Sequence, residues 1–395
     1  MTGPSITFAG GPIFNGTDLL DGYAARFQNG VLEALVPEDQ IATDARIEDL
    51  TGRILSPGYL DLQVNGGDGV MFNDDPSVDT LTRIAKAHRG LGATRILPTL
   101  ITDTAEKTRA AIGAAIEAIQ AGIPGIAGLH LEGPHLSERR KGAHDAALIR
   151  PMAEADLDAI IVAAEHLPAL MVTLAPESTT PEQVRALTQA GIIVSLGHTD
   201  ASFETCMAYA DAGARCATHL FNAMSQLGNR EPGLVGAALS HGSMSAGLIA
   251  DAVHVHPESM RAAWAAKCGP GRIFLVSDAM AVAGTDLTEF QLEGRPIRRE
   301  DGKLTLQDGT LAGADLCLTQ AAKVLTEQVD IPLPQALAAA TSVPYQIIAK
   351  RGERLALDLA HMILITPDLS AAQPVQTSEA GSPTGHLPGF VSSAS

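Results

Sequence analysis

The sequence predicts an α/β protein: a (β/α)8 barrel joined to a small β-sandwich built from both ends of the chain. Three observations carry this. From residue 56 to about 350, apolar runs alternate with Ala-rich stretches of helical period, the pattern of a βα repeat. About eight of the runs are apolar on both faces, as buried parallel strands are. Several of them end in a polar or reactive residue, which fits a barrel whose site is built at its C-terminal strand ends. A doubly wound open sheet is the competing fold, weakened by the lack of a Gly-x-Gly-x-x-Gly turn after the first strand.

Residues 1–55 read as short strands, Ser5–Phe8, Tyr23–Phe27 and Val31–Leu35, separated by Gly, Asn and Asp turns. The barrel is expected over 56–352. Its strands are expected at Gly58–Gly66, Ala93–Leu100, Ile126–Pro134, Leu170–Glu177, Ile192–Thr199, Cys216–Asn222, Ala246–Val255 and Ile273–Met280. Helices are expected at Val78–Leu91, Ala105–Ala121, Ala153–His166, Pro181–Ala190, Ala201–Ala212 and Pro257–Lys267. The polar stretch 290–312, with Gly294, Gly302 and Gly309, reads as a hairpin insertion after the last strand. Residues 353–395 are expected to complete the small β domain. Within them, 355–366 should return to pair with the N-terminal strands, and the Ser-, Gly- and Pro-rich tail after Ser370 should be flexible.

With 46% hydrophobic and 18% charged residues, the 395-residue chain can bury a large core. A net charge of −18 argues against a nucleic-acid binder, yet one local cationic cluster can still hold an anion. No apolar run reaches membrane-spanning length. The four cysteines form no Cys-x-x-Cys pair, and no secretory leader is evident; both point to reduced thiols in the cytoplasm.

The candidate site residues sit at strand ends. Glu132 closes the run Ile126–Leu131, His198 follows Ile192–Gly197, and His219 follows Cys216–Thr218. Two imidazoles and a carboxylate converging from separate strands suit a divalent metal with an open position. The bland alternatives are a salt bridge for Glu132 and hydrogen-bonded core roles for the histidines. His130 shares a strand face with Glu132 but lies deeper, so it and His135 are read as decoys. Asp278 ends the last strand and could exchange a proton with an attacking water, or merely cap the next turn. Gln63 and Asn65 end the first strand. Asn222, Ala223 and Arg230 lie in a loop that could bind an anion or be ordinary solvated loop. The segment Lys141–His144 is equally ambiguous. In Asp251–His256, alternation puts His254 and His256 on one face.

Taken together, these residues resemble the N-acetylglucosamine-6-phosphate deacetylases, a family of the amidohydrolase superfamily. The resemblance rests on Pro57–Gly66, His130–Pro134, Gly197–Thr199, Thr218–Met224, Arg230–Gly233, Ser277–Ala279 and Gly309–Gly313. It weakens after residue 340. Many superfamily members carry His-x-His at the first strand end; Gln63-Val64-Asn65 stands here, which implies a one-metal enzyme. The resemblance further implies hydrolysis of N-acetylglucosamine 6-phosphate to glucosamine 6-phosphate and acetate. Glu132, His198 and His219 would hold one Zn²⁺ or Fe²⁺, with Asp278 as general base and acid and His144 stabilising the oxyanion. Gln63, Asn65, Ala143, His144, Asn222, Ala223, Arg230, Asp251, His254, Leu311, Ala312 and Gly313 would surround the sugar phosphate. Arg230 would come from the neighbouring subunit of a homodimer. The rival readings are an amidohydrolase acting on another N-acyl amino sugar or a cyclic amide, and a non-catalytic sugar-phosphate binding protein.

Overall fold

A computed structural model describes residues 5–350, 353, 355 and 357–376. Eight parallel strands form the barrel wall: β1 (Tyr59–Val64), β2 (Ala93–Ile101), β3 (Leu129–Glu132), β4 (Leu170–Leu174), β5 (Ile193–Leu196), β6 (Cys216–Ala217), β7 (Ser245–Leu248) and β8 (Ile273–Leu275). Each pairs with its sequence neighbours. The ring closes just past the last strand, where Val64 bridges to Ala279 and the Asp278 N–H donates to the Gln63 carbonyl at 3.1 Å. The closing seam therefore runs through site residues.

The strand side chains are buried because both faces are covered, one by the barrel interior and one by helices. Helices Val78–Gly90, Ala105–Gln120, Glu154–Ala164, Pro181–Gln189, Phe203–Asp211 and Pro257–Ala266 fall where the sequence pattern places them. Local chemistry starts several of them: Ser77, Thr104, Thr180 and Ser202 each accept a hydrogen bond from a backbone N–H three residues on. A further helix, Gly233–Ser240, is apolar almost throughout and lacks the amphipathic period that would have marked it.

The strands are shorter than the apolar runs suggest. His198, His219 and Asp278 have φ of 47°, 30° and 50°, and Phe221, Ala223 and Ala252 are likewise left-handed. A left-handed residue cannot continue a strand, so each strand stops before its site residue and the chain turns there. Glu132 alone of the metal-site candidates lies inside a strand.

Two sheets lie outside the barrel at the chain ends. Val31–Pro37, Tyr23–Gln28, Ser5–Ala9 and Ile47–Asp49 form one. Ala372–Pro374, Met362–Ile365, Ile54–Pro57, Ile13–Phe14 and Leu19–Leu20 form the other. Phe8, Ala25 and Phe27 from the first pack with Ile13, Leu55 and Met362 from the second. Met362–Ile365 pairs antiparallel with Ile54–Pro57, the expected return of the C-terminal segment. That strand crosses residue 55, so the sheet draws on both sides of the expected division. The expected flexible tail needs correcting at its start, because Ala372–Pro374 is a strand paired to Met362–Ile365; 377–395 lie outside the described residues. The insertion is larger than a hairpin: Glu289–Leu292, Arg295–Glu300, Lys303–Thr305 and Leu311–Ala314 make a four-stranded antiparallel sheet. Among the described residues no helix is long and apolar enough to cross a membrane.

Candidate active site

The C-terminal mouth of the barrel holds a cavity of about 380 Å³. Glu132, His198, His219 and Asp278 line it, with Asn65, Ala143, His144, Asn222, Ala223, His254, Leu311 and Gly313. Glu132 Oε1 lies 3.2 Å from His198 Nε2 and 3.1 Å from His219 Nε2, and the two Nε2 atoms are 3.1 Å apart. All three residues are at most 5% exposed.

His198 donates its Nδ1 hydrogen to the Arg140 carbonyl at 2.8 Å, so in the neutral ring Nε2 presents a lone pair. Three potential electron-pair donors thus face one point. Burial alone would raise Glu132, but hydrogen bonds to His198 and His219 hold it well below the usual carboxylate range. Burial alone would lower His219, and the Glu132 carboxylate reverses that and raises it. A tetrahedral cation with bonds of about 2.0–2.2 Å spaces its ligand atoms roughly 3.3–3.6 Å apart. The observed triangle and its donor set therefore fit a divalent cation. The second ring nitrogen of His219 is buried without a hydrogen-bond partner among the described residues.

Asp278 is fixed by two amides. Asn65 Nδ2 donates to its Oδ1 at 2.7 Å and Gln63 Nε2 at 3.1 Å. Gln63 Nε2 also donates to Glu132 Oε1 at 3.1 Å, so one NH₂ group bridges the two carboxylates. No hydrogen bond to Asp278 Oδ2 is found among the described residues. Burial, then the negative charge of Glu132, pushes Asp278 up to about 6.

His144 stands beside the triad, its ring 4.4 Å from that of His198. Its Nδ1 accepts from the Thr102 N–H at 3.3 Å and lies 2.7 Å from the Thr102 hydroxyl. Burial, then the nearby His198, lowers it to about 3, so the ring is neutral and its hydrogen sits on Nε2. Gly133 leaves room for this contact, since a Cβ there would lie 2.2 Å from Thr102 Oγ1.

Several expected site residues are placed otherwise. Gln63 does not line the cavity; it acts on Glu132 and Asp278 from behind. Asp251 is set back too, its Oδ2 2.6 Å from Nδ1 of the cavity-lining His254. Ala312 does not line the cavity: strand alternation turns its side chain into the apolar cluster of the insertion sheet, while Leu311 and Gly313 face the cavity. Arg230 is exposed and does not line the cavity of its own chain. His254 and His256 do not share a strand face, because the strand ends at Leu248 and His256 caps the helix Pro257–Ala266. His130 is the deep residue its position implied; its Nδ1 lies 3.0 Å from the Leu62 carbonyl and its Nε2 2.8 Å from Thr173 Oγ1. Arg139, Arg140 and Leu292, which also line the cavity, had no sequence signal beyond position in a loop after Glu132 or in the insertion.

A closed parallel barrel with this polar cluster at its C-terminal mouth defines the class: the amidohydrolase superfamily. No protein-family model matches the chain. An N-acetylgalactosamine-6-phosphate deacetylase of Shewanella sp. (strain ANA-3) is 44% identical over 301 residues, 76% of each chain. An N-acetylglucosamine-6-phosphate deacetylase of Haemophilus influenzae is 33% identical over 362 residues, 90% of this chain and 94% of that one. The crystal structure of N-acetylglucosamine-6-phosphate deacetylase from Pasteurella multocida superposes with a TM-score of 0.87 at 32% identity, covering 93% of this chain and 97% of that one. The chain belongs to the N-acetylglucosamine-6-phosphate deacetylase family.

Proposed function

We propose that this chain hydrolyses the acetamide of N-acetylglucosamine 6-phosphate, giving glucosamine 6-phosphate and acetate. The observation that carries the proposal is the meeting of Glu132, His198 and His219 with Asp278 and a neutral His144 around one cavity. Family membership supports the substrate class.

Glu132, His198 and His219 would hold one divalent ion, Zn²⁺ or Fe²⁺. When bound, such an ion supplies Lewis acidity and brings the pKa of water toward neutrality. Asp278 takes the proton of the attacking water at Oδ2, since Asn65 and Gln63 engage Oδ1. The same oxygen then returns the proton to the departing amine. His144 donates its Nε2 hydrogen to the carbonyl oxygen as negative charge grows there, an effect worth roughly 3–4 kcal/mol per donor. Burial keeps that histidine neutral, so the hydrogen stays in place at working pH. Gln63, between Glu132 and Asp278, dampens their mutual repulsion and fixes their spacing.

A homodimer is part of the proposal, with Arg230 reaching the partner's site; its exposure and its absence from the lining of its own cavity agree with this. The absence of a disulfide among the described cysteines supports a cytoplasmic setting.

A second reading is the C4 epimer, N-acetylgalactosamine 6-phosphate. It is favoured by the 44% identical Shewanella relative, which is named for that substrate. The deciding assay measures acetate release from both epimers, each with and without the 6-phosphate, after chelation and after adding back single metals. Metal-dependent release from the gluco phosphate ahead of the galacto phosphate is expected; the reverse order makes the second reading the function. Release from neither phosphate refutes both. In that case, turnover of another N-acyl amino sugar or cyclic amide, or tight sugar-phosphate binding with no metal, names the replacement.

A further inference from the structure

We infer that Arg139 is a substrate-phosphate ligand supplied by the same chain that holds the triad. The inference rests on the sugar-phosphate reading above and adds a specificity residue to it. A dianionic substrate approaches a chain of net charge −18 whose cavity floor already carries Glu132 and Asp278. It needs fixed positive charge at the mouth to offset that field. The lysine and arginine side chains that line the cavity, among the described residues, are Arg139 and Arg140. Arg295 lies nearby but is committed, with Nη2 2.8 Å from the Ala143 carbonyl and 3.0 Å from Glu293.

The two neighbours differ in what they are free to do. Arg140 donates twice to Asp200 Oδ1, from Nε at 2.9 Å and Nη2 at 2.6 Å, and its carbonyl holds His198. Its side chain and backbone are both occupied by structure. Arg139 only approaches Asp200 Oδ2, at 3.5 Å, and its side chain is 82% exposed. That is too long for a good charge-assisted bond, so its guanidinium keeps donors for an anion.

Position agrees with the role. The turn Glu138–Arg140 is fastened to the site by the Ser137 N–H on the His198 carbonyl at 2.9 Å and by His198 on Arg140. The Arg140 carbonyl is therefore bonded directly to a triad ring, and Arg139 is the next residue along the chain and lines the same cavity. Asp200, which both arginines face, follows Thr199, and Thr199 bridges to Met224 beside the cavity-lining Asn222 and Ala223. Arg139, Asn222 and Ala223 thus line one cavity with the triad.

The test is Arg139→Gln and Arg139→Lys, assayed on N-acetylhexosamine 6-phosphate and on the unphosphorylated sugar. Arg139→Gln should raise KM for the phosphate about tenfold or more, leave kcat near wild type, and leave the unphosphorylated sugar unaffected. The inhibition constant of hexosamine 6-phosphate should rise by the same factor, and the gap should narrow in high salt. Arg139→Lys should recover most of the loss while an unchanged melting temperature shows the fold intact. Equal losses on both sugars, no change in KM or inhibition, or selectivity for phosphate that vanishes only in Arg230→Ala would overturn the inference. None of these outcomes touches the deacetylase reading, which fails only if the wild type releases acetate from neither phosphate.

Discussion

His198 donates its Nδ1 hydrogen to the backbone carbonyl of Arg140, and that one bond of 2.8 Å decides which ring nitrogen faces Glu132. With Nδ1 protonated, Nε2 offers its lone pair to the point where Glu132 and His219 also aim theirs. A backbone acceptor is a good choice for this task, because it cannot be titrated away.

Metal affinity should rise with pH. Glu132 raises His219 above the ordinary 6.5, so a proton competes with the cation for the same site. Below that titration each pH unit should weaken binding up to about tenfold. Chelator competition between pH 5.5 and 8.5 measures this. A flat profile would remove His219 from the ligand set.

Asp278→Asn should keep fold and metal content while losing roughly 10²–10⁴ in kcat. Asparagine can still meet the amides of Gln63 and Asn65 after rotation, but it cannot accept and return a proton. Turnover within a few-fold of wild type would exclude Asp278 as the general base.

His144→Phe should cut kcat about 10²–10³-fold with a smaller change in KM, since the lost donor acts on charge that develops during reaction. Because the ring is neutral down to about pH 3, activity should show no limb from His144 above pH 4. Steady-state kinetics over pH 4.5–9 in wild type and variant would check both points.

Asp61 makes a separate, structural prediction. It accepts from the Ser277 and Gln63 N–H groups, and burial pushes it from 3.8 up to about 7. Between those values the native chain holds a proton that the unfolded chain has released. Asp61 therefore costs no stability below about pH 4, and its cost grows as pH rises to 7, by at most about 1.4 kcal/mol per unit. Asp61→Asn removes this slope, so its stability relative to wild type should improve from pH 5 to pH 8 in denaturant titrations. A constant difference would mean that Asp61 is ionised throughout.

The barrel was legible in the sequence because parallel strands are buried on both faces and so are written as continuous apolar runs. Its helices were legible as Ala-rich stretches of helical period between those runs; the caps Ser77, Thr104, Thr180 and Ser202 fix where four of them start. Strand ends were overrun wherever a left-handed residue stopped the strand inside an unbroken apolar stretch, as before His198 and Asp278. The facing of Ala312 was not legible for a simpler reason: a residue matched by motif carries no label for which strand face it occupies.

The sequence by itself determined which residues are chemically able to form the site: Glu132, His198, His219 and Asp278 are polar groups at the ends of runs that are otherwise apolar. Only the tertiary structure decided what each does. Gln63 became a bridge between two carboxylates, Arg140 an acceptor for His198, and Arg139 the less committed of two adjacent cations. Tautomer, free lone pair and unspent charge depend on partners tens to hundreds of residues away, and those distances are set by barrel closure.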